Sequence, residues 1–444
     1  MTLKTRRILY IFFILLFCIL TPLISFYASG YKLSSGLKIQ KTGILIVDTE
    51  PKGAKIFLNE KIQQKFINKI LKNNDKYLST PVKIKNLSPG EYDVKISKQG
   101  YWDWQKKLSI KSGESTYIED VTLFKQDSPL ILINGEYRYQ NISKNKEHII
   151  AFANDKYGII NLNNDDAIKT FSINASSSPI QILNNFEIQW SLDNKKILIN
   201  NIILDAKTGE IKNNLKKEIG DNIKNIKWAE DSNSILYLDE NNLNKYNLAS
   251  KRSEVIIKND TINDFYYLNE AIYIIKKNHL SANLIKIKPK EKKENNILNL
   301  PLSNYSFLAH NNYLNIYDKN HEIFYIIDPN SSFRPIRETL GNVKLIDWID
   351  NEKLLYANKH EIWVYDLNSR KNTLLTRISQ EIKGVIWHPN NNYAIYNTPN
   401  SIYSIELDNR EKYNIIKLIT LDTIQNIELD KNGDNLYFYS KINS

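Results

Sequence analysis

Four times past Phe124 an apolar residue stands two places before a tryptophan: Ile188-Gln189-Trp190, Ile226-Lys227-Trp228, Ile346-Asp347-Trp348 and Val385-Ile386-Trp387. A polar turn follows each, respectively Leu192-Asp193-Asn194, Glu230-Asp231-Ser232, Asp350-Asn351-Glu352 and Pro389-Asn390-Asn391, and then a second strand. Successive tryptophans are 38, 120 and 39 residues apart. The long gap holds three units of about 40 residues, and weaker copies fall around Leu268 and Leu308. Further copies begin near Ser143 and Leu429. One unit shows the internal order well: Ile346-Asp347-Trp348, then Lys353 to Ala357, Glu361 to Leu367 and Asn372 to Arg377. Four short strands in about 40 residues is the period of a β-propeller blade, with the tryptophan marking the inner strand. Helical solenoids of similar period are disfavoured, because apolar positions alternate and β-branched residues abound.

Seven units are complete, and an eighth begins at Leu429 but runs out at Ser440. A ring must close, so Leu130 to Gln140, with its Asn134-Gly135 turn, is expected to supply the missing outer strands and remove exposed edges. The expectation is therefore eight blades over residues 125–444, with seven as the alternative. The single cysteine, Cys18, excludes intramolecular disulfides and thiolate metal clusters. The fold must hold by packing alone.

At the other end of the chain, Ile8 to Ala28 carries no charge. A helix of that length reaches roughly 30 Å at about 1.5 Å per residue, the hydrocarbon thickness of a bilayer. The sequence reads as a cytoplasmic stub over residues 1–7, a transmembrane helix over 8–28 and a linker over 29–42. A cleaved signal peptide is the competing reading, since Lys4, Arg6 and Arg7 make an n-region and Tyr27-Ala28-Ser29-Gly30 offers small residues. Lys32, Lys38 and Lys41 nearly balance the basic residues before the helix. Arg6 and Arg7 abut it, however, and large downstream domains translocate largely regardless of charge. The expected orientation has the N-terminus in the cytoplasm and the body outside.

Between residues 43 and 124 the chain reads as a small β-sandwich of alternating strands: Ile44 to Val47, Ala54 to Asn59, Val82 and Ile84, Tyr92 to Ile96, Leu108 and Ile110, and Tyr117 to Leu123. Trp102 and Trp104 share the parity of Leu108 and Ile110 and are expected in its core. Thr42-Gly43, Pro51-Lys52-Gly53-Ala54, Thr80-Pro81, Leu87-Ser88-Pro89-Gly90-Glu91-Tyr92 and Gly100-Tyr101, in that order, resemble a PEGA domain. The resemblance implies an envelope-associated β-domain without catalytic residues or ligand. An insertion over 61–79 is expected to be helical, because Ile62, Phe66 and Ile70 repeat at four residues beside a stripe of Lys61, Lys65 and Lys69. Its expected role is to cover the sandwich; the alternative is to lie on anionic headgroups. The later units resemble, in degraded form, the blades of the periplasmic Tol-system propeller, with His388-Pro389-Asn390 nearest to its Ser-Pro-Asp-Gly turn.

The net charge of +11 is unevenly placed. Residues 1–42 carry six basic and no acidic residues, 43–124 carry 14 and 10, and 125–444 carry 40 and 39. The nearly neutral repeat domain offers no footprint for phosphate, so no nucleic-acid partner is expected. Of the six histidines, His279, His321 and His360 fall in corresponding turns of consecutive units, too far apart to share an ion. His148, His310 and His388 form no metal-ligand spacing with them, and no HExxH, GxSxG, P-loop or GxGxxG occurs. No catalytic, metal or cofactor-binding residue is singled out. The expectation is a non-catalytic, membrane-anchored binding or scaffold protein of the cell envelope, acting through its propeller on an envelope protein or glycan. The alternative is a propeller enzyme acting on envelope glycans or peptides, whose mark would be converging carboxylates or histidines in the channel.

Overall fold

The computed structural model describes residues 3–33, 39–64, 77–133, 135, 139–152, 156–162, 168–172, 188–240, 242–258, 261–288, 293–309 and 312–441. Its chain groups into two compact units, Met1–Pro129 with Tyr403–Leu418, and Leu130–Ile402 with Ile419–Ser444.

The first unit opens with helix α1 (Leu3–Ala28), which has no buried residue and is long and apolar enough to cross a membrane. It begins before the uncharged run and takes Lys4, Arg6 and Arg7 into its first turns. The expected linker is in part a ribbon. Strands β1 (Tyr31–Leu33) and β2 (Ile39–Lys41) pair antiparallel, and Thr42 closes the ribbon by donating both its N–H and its hydroxyl to the Gly30 carbonyl at 2.8 and 2.6 Å.

The sandwich comprises β3 (Gly43–Glu50), β4 (Lys55–Leu58), β5 (Lys61–Ile62), β6 (Val82–Leu87), β7 (Gly90–Ser97), β8 (Trp104–Ile110) and β9 (Ser115–Thr122). They form two sheets, in the orders β6-β3-β9 and β5-β4-β7-β8, with β9 parallel to β3. Alternate residues point inward, and Leu45, Val47, Ile56, Val94, Ile96, Trp104, Leu108 and Ile118 fill the space between the sheets. Gly43 permits the close approach of the two layers, since a Cβ there would lie 2.4 Å from Ile110 Cγ2 and 2.6 Å from the Lys111 carbonyl. Trp104 is wholly buried, while Trp102 is half-buried.

The turn motifs are bonded to one another. Thr80 accepts the Ala54 N–H on its hydroxyl at 3.1 Å and the Gly53 N–H on its carbonyl at 2.8 Å, and its hydroxyl lies 2.6 Å from that of Thr49. Tyr92 donates its hydroxyl to the Ser88 carbonyl at 2.8 Å. The expected helix over 61–79 is corrected at its described ends: Asn59 and Glu60, both with positive φ, make a two-residue turn that folds Lys61-Ile62 back on Phe57-Leu58 as β5. Gln64 then bridges Tyr77 in antiparallel fashion. Lys65, Phe66, Lys69 and Ile70 lie outside the described residues.

Beyond the sandwich, the chain forms seven four-stranded antiparallel sheets one after another, each ordered as its strands occur in sequence. Their first strands are Tyr139–Ile142, Ile188–Trp190, Ile223–Trp228, Ile262–Leu268, Tyr305–Leu308, Leu345–Trp348 and Gly384–Trp387. A two-stranded sheet, Gln425–Leu429 with Leu436–Tyr439, follows. Consecutive sheets stack face to face. In the second sheet Ile197 and Ile199 pack on Ile150, Phe152 and Ile159 of the first, while Leu198 and Ile203 pack on Ile235 and Tyr237 of the third. Burial on both faces explains why second strands such as Ser234–Asp239 read as unbroken apolar runs instead of alternating.

First strands touch across sheets, Gln425–Leu429 lying against both Gly384–Trp387 and Tyr139–Ile142. The succession therefore returns to its start. This is a β-propeller, with the tryptophans of the repeat on first, inner strands. The closing contribution expected of Leu130 to Gln140 is corrected. Tyr139 and Gln140 pair with Phe152 and Ala151 inside the first sheet, and Leu130–Ile133 forms no strand. Ile133 instead packs beside Ala151 and Tyr439 at the seam. Asn134 lies outside the described residues.

Candidate functional site at the inner strands

On the inner strands the residue just before the tryptophan or its counterpart (Phe265, Phe307, Leu429) is Gln189, Lys227, Asp264, Ser306, Asp347, Ile386 and Glu428 in turn, and this is the middle position. Neighbouring middle residues differ in kind, and most are engaged from sheet to sheet. Gln189 donates its amide to the Ile226 carbonyl at 2.7 Å. Lys227 meets Asp264 Oδ1 at 2.6 Å and the Phe265 carbonyl at 2.8 Å, and Asp264 Oδ2 accepts the Phe307 N–H at 2.9 Å. Asp347 Oδ2 accepts the Trp387 N–H at 2.7 Å.

The tryptophan side chains complete this ring of latches in the opposite direction. Trp190 Nε1 donates to Asn141 Oδ1 at 2.7 Å, Trp228 Nε1 to the Gln189 carbonyl at 3.0 Å and Trp387 Nε1 to the Asp347 carbonyl at 3.0 Å. An indole supplies a large apolar body with one donor at its edge, which suits a residue that must fill space and still satisfy a carbonyl of the preceding sheet. Phe265 and Phe307 stand where the weaker copies lie and lack that donor.

Two middle residues remain chemically distinctive. Burial pushes the Asp347 carboxyl up to about 6, against the lowering effect of the Trp387 N–H and the charge of Lys146. Glu428 is pushed up to about 7, first by burial and then by the negative charge of Asp347, again opposed by Lys146. Burial thus favours the protonated form of both carboxyls toward neutral pH. Sequence reasoning found no standout acid here. The available signal was that Asp347 and Glu428 hold the same register position in units flanking that of Ile386.

The histidines do not converge. His279 and His360 are exposed in their turns, and His321 Nδ1 lies 2.8 Å from Asp318 Oδ2 in its own turn. His388 is buried and its imidazole is pushed down by burial, while His148 is lowered for the same reason. His310 lies outside the described residues. Among the described residues no group of three His, Cys, Asp or Glu side chains is arranged to hold a metal ion. A small polar cleft is lined by Tyr313, Arg337, Tyr365, Leu367, Asn368 and Arg370. Much of its charge is already answered, Arg337 by Asp328 at 3.4 Å and the Tyr365 hydroxyl by Glu338.

Residues 69–125 match the family model of the PEGA domain. The match takes in Thr80-Pro81, Leu87 to Tyr92 and Gly100-Tyr101, and it begins after Pro51 to Ala54. No curated protein matches the sequence. Among solved structures, the chain is similar to dihydro-heme d1 dehydrogenase NirN in complex with DHE, at 13% identity and a TM-score of 0.47, over 69% of this chain and 70% of that one. It is also similar to a eukaryotic initiation factor at 14% identity and a TM-score of 0.44, over 67% and 80% of the two chains. The Neurospora crassa Pan2 WD40 domain follows at 12% identity and a TM-score of 0.38, over 68% and 86%.

Proposed function

We propose that this chain is a membrane-anchored, extracytoplasmic protein of the cell envelope that binds or scaffolds a partner through its propeller and does not catalyse a reaction. The observation that carries this reading is the use made of the inner-strand polar groups. Gln189, Lys227, Asp264 and Asp347 all bond to the next sheet, so the positions from which a propeller would build a channel site serve to join sheets. The apolar, wholly exposed helix α1 and the PEGA match support the anchor and the envelope setting. Protease added outside intact cells is expected to digest the body, and the full-length protein to resist carbonate extraction. A soluble mature form starting near Ser29 would instead establish a cleaved signal peptide.

The enzyme reading is favoured by one feature, the carboxyls of Asp347 and Glu428 raised by burial, with Glu428 also feeling the charge of Asp347. One experiment separates the two. Asp347→Asn with Glu428→Gln is expected to leave recovery of envelope partners by the solubilised protein unchanged, and purified cell-wall fragments to show the same mass profile with either form. Wild-type-dependent release of glycan or peptide fragments, abolished in the double variant, would replace binding by catalysis.

A further inference from the structure

Strand β8 is the outer strand of its sheet, and its inward positions read Trp104, Lys106, Leu108 and Ile110. A lysine among three apolar residues is out of place there, because an ammonium ion loses its hydration and needs opposite charge in return. Its side chain is only 1% exposed. The partners lie some three hundred residues later. Lys106 Nζ sits 3.0 Å from Glu406 Oε2 and 3.3 Å from Asp408 Oδ2, and it donates to the Asp408 carbonyl at 2.7 Å. Glu406, itself 6% exposed in its side chain, also accepts the Trp104 Nε1–H at 3.1 Å.

Around this centre the same segment holds both sheets of the sandwich. Glu411 accepts the Lys107 N–H of β8 at 2.6 Å, and Arg410 donates to the Tyr117 carbonyl of β9 at 2.7 Å. Arg410 is itself oriented by Asp408, with Nη2 and Oδ2 2.7 Å apart. Four residues of Tyr403–Leu418 thus meet β8 or β9 through charge, with a buried cation at the middle.

We propose that Tyr403–Leu418 is a charge-keyed docking element for the β-sandwich, with Lys106 as the key and Glu406 and Asp408 as its receptor. Opposite charges taken out of water demand one geometry, since a shift of the segment leaves at least one ion buried without its partner. Apolar packing alone tolerates sliding; this arrangement does not. The element therefore sets the register in which the segment sits on β8.

Hydrogen exchange on the full-length protein in detergent micelles tests this. Lys106→Met is expected to lower protection of residues 403–418 by about tenfold or more while Ser234–Asp239 keeps its own, and adding Glu406→Leu and Asp408→Asn is expected to restore most of it. Unchanged protection in Lys106→Met would overturn the proposal. A second arm does not depend on how well that variant folds. In a Cys18→Ser background, Lys107→Cys with Glu411→Cys is expected to cross-link on oxidation while Lys106 is present; failure to cross-link would equally overturn it.

Discussion

At Lys106 a buried cation is met by two carboxylates, whereas at Asp347 and Glu428 two carboxyls share the influence of one lysine, Lys146. Asp408 is held below the usual carboxylate range: burial opposes this, but bonds from Arg410 and the charge of Lys106 outweigh it. Glu406 is raised by burial although Lys106 pulls it back, and Glu428 rises to about 7 through burial first and the like charge of Asp347 second. A cation thus draws carboxylates into an ion cluster in one unit, while a like-charged neighbour adds to the effect of burial in the other.

The largest test makes the first site resemble the second. Lys106→Met leaves the buried Glu406 without its cation, while the part-exposed Asp408 keeps Arg410, and is expected to cost about 3 kcal/mol near neutral pH, as removal of one partner from a buried pair does. Without Lys106 the Glu406 carboxyl rises further, and a raised acid loses stability as pH climbs through its folded pKa. The deficit should shrink toward pH 5. Thermal unfolding of wild type and variant across that range checks it, and a pH-independent deficit would contradict the electrostatic account.

The second test removes the like-charge penalty from the propeller. Glu428 binds a proton more tightly folded than unfolded, so its contribution is present below the ordinary glutamate range and fades as pH rises toward about 7. Glu428→Gln is therefore expected to stabilise by up to about 2 kcal/mol at pH 8 and by little at pH 4. Denaturant midpoints at the two pH values give the measurement. Equal gains at both would show that shape, not charge, matters at this position.

The smallest effect concerns a neutral latch. Trp190→Phe keeps most of the ring but removes the donor to Asn141, and a loss of about 1 kcal/mol is expected from the unpaired amide oxygen together with the lost bond. Asn141→Ala in the same background should add little, because the two residues then share one interaction. A double-variant cycle reads the coupling directly.

These sites were unequally visible in the sequence. The propeller was legible because Trp190, Trp228, Trp348 and Trp387 each follow an apolar residue by two, and because alternation with buried second strands leaves a local pattern. Phe265 and Phe307 blurred the middle units by replacing the indole, and the copies around Leu268 and Leu308 were correspondingly weak. The insertion after Glu60 misled, since a spacing of four among Ile62, Phe66 and Ile70 says nothing about a two-residue turn at Asn59 and Glu60. Lys106 carried a signal that periodicity could have caught, a charge on the inward parity of β8. Its partners carried none, because a contact 302 residues away leaves no spacing to read. The shared register of Asp347 and Glu428 became meaningful only once their strands were placed on either side of Gly384–Trp387.

The long separation between Lys106 and its acids also sets an order of events as the chain emerges. The sandwich strands are made first, and Lys106 on the edge strand β8 waits without its carboxylates until residue 408 has been delivered. An apolar edge left waiting for that long invites strand addition from other nascent chains. A solvated ammonium group on its inward side discourages such additions, since any foreign strand would have to bury the charge unanswered. Lys106 is thus expected to guard the edge until Glu406 and Asp408 arrive.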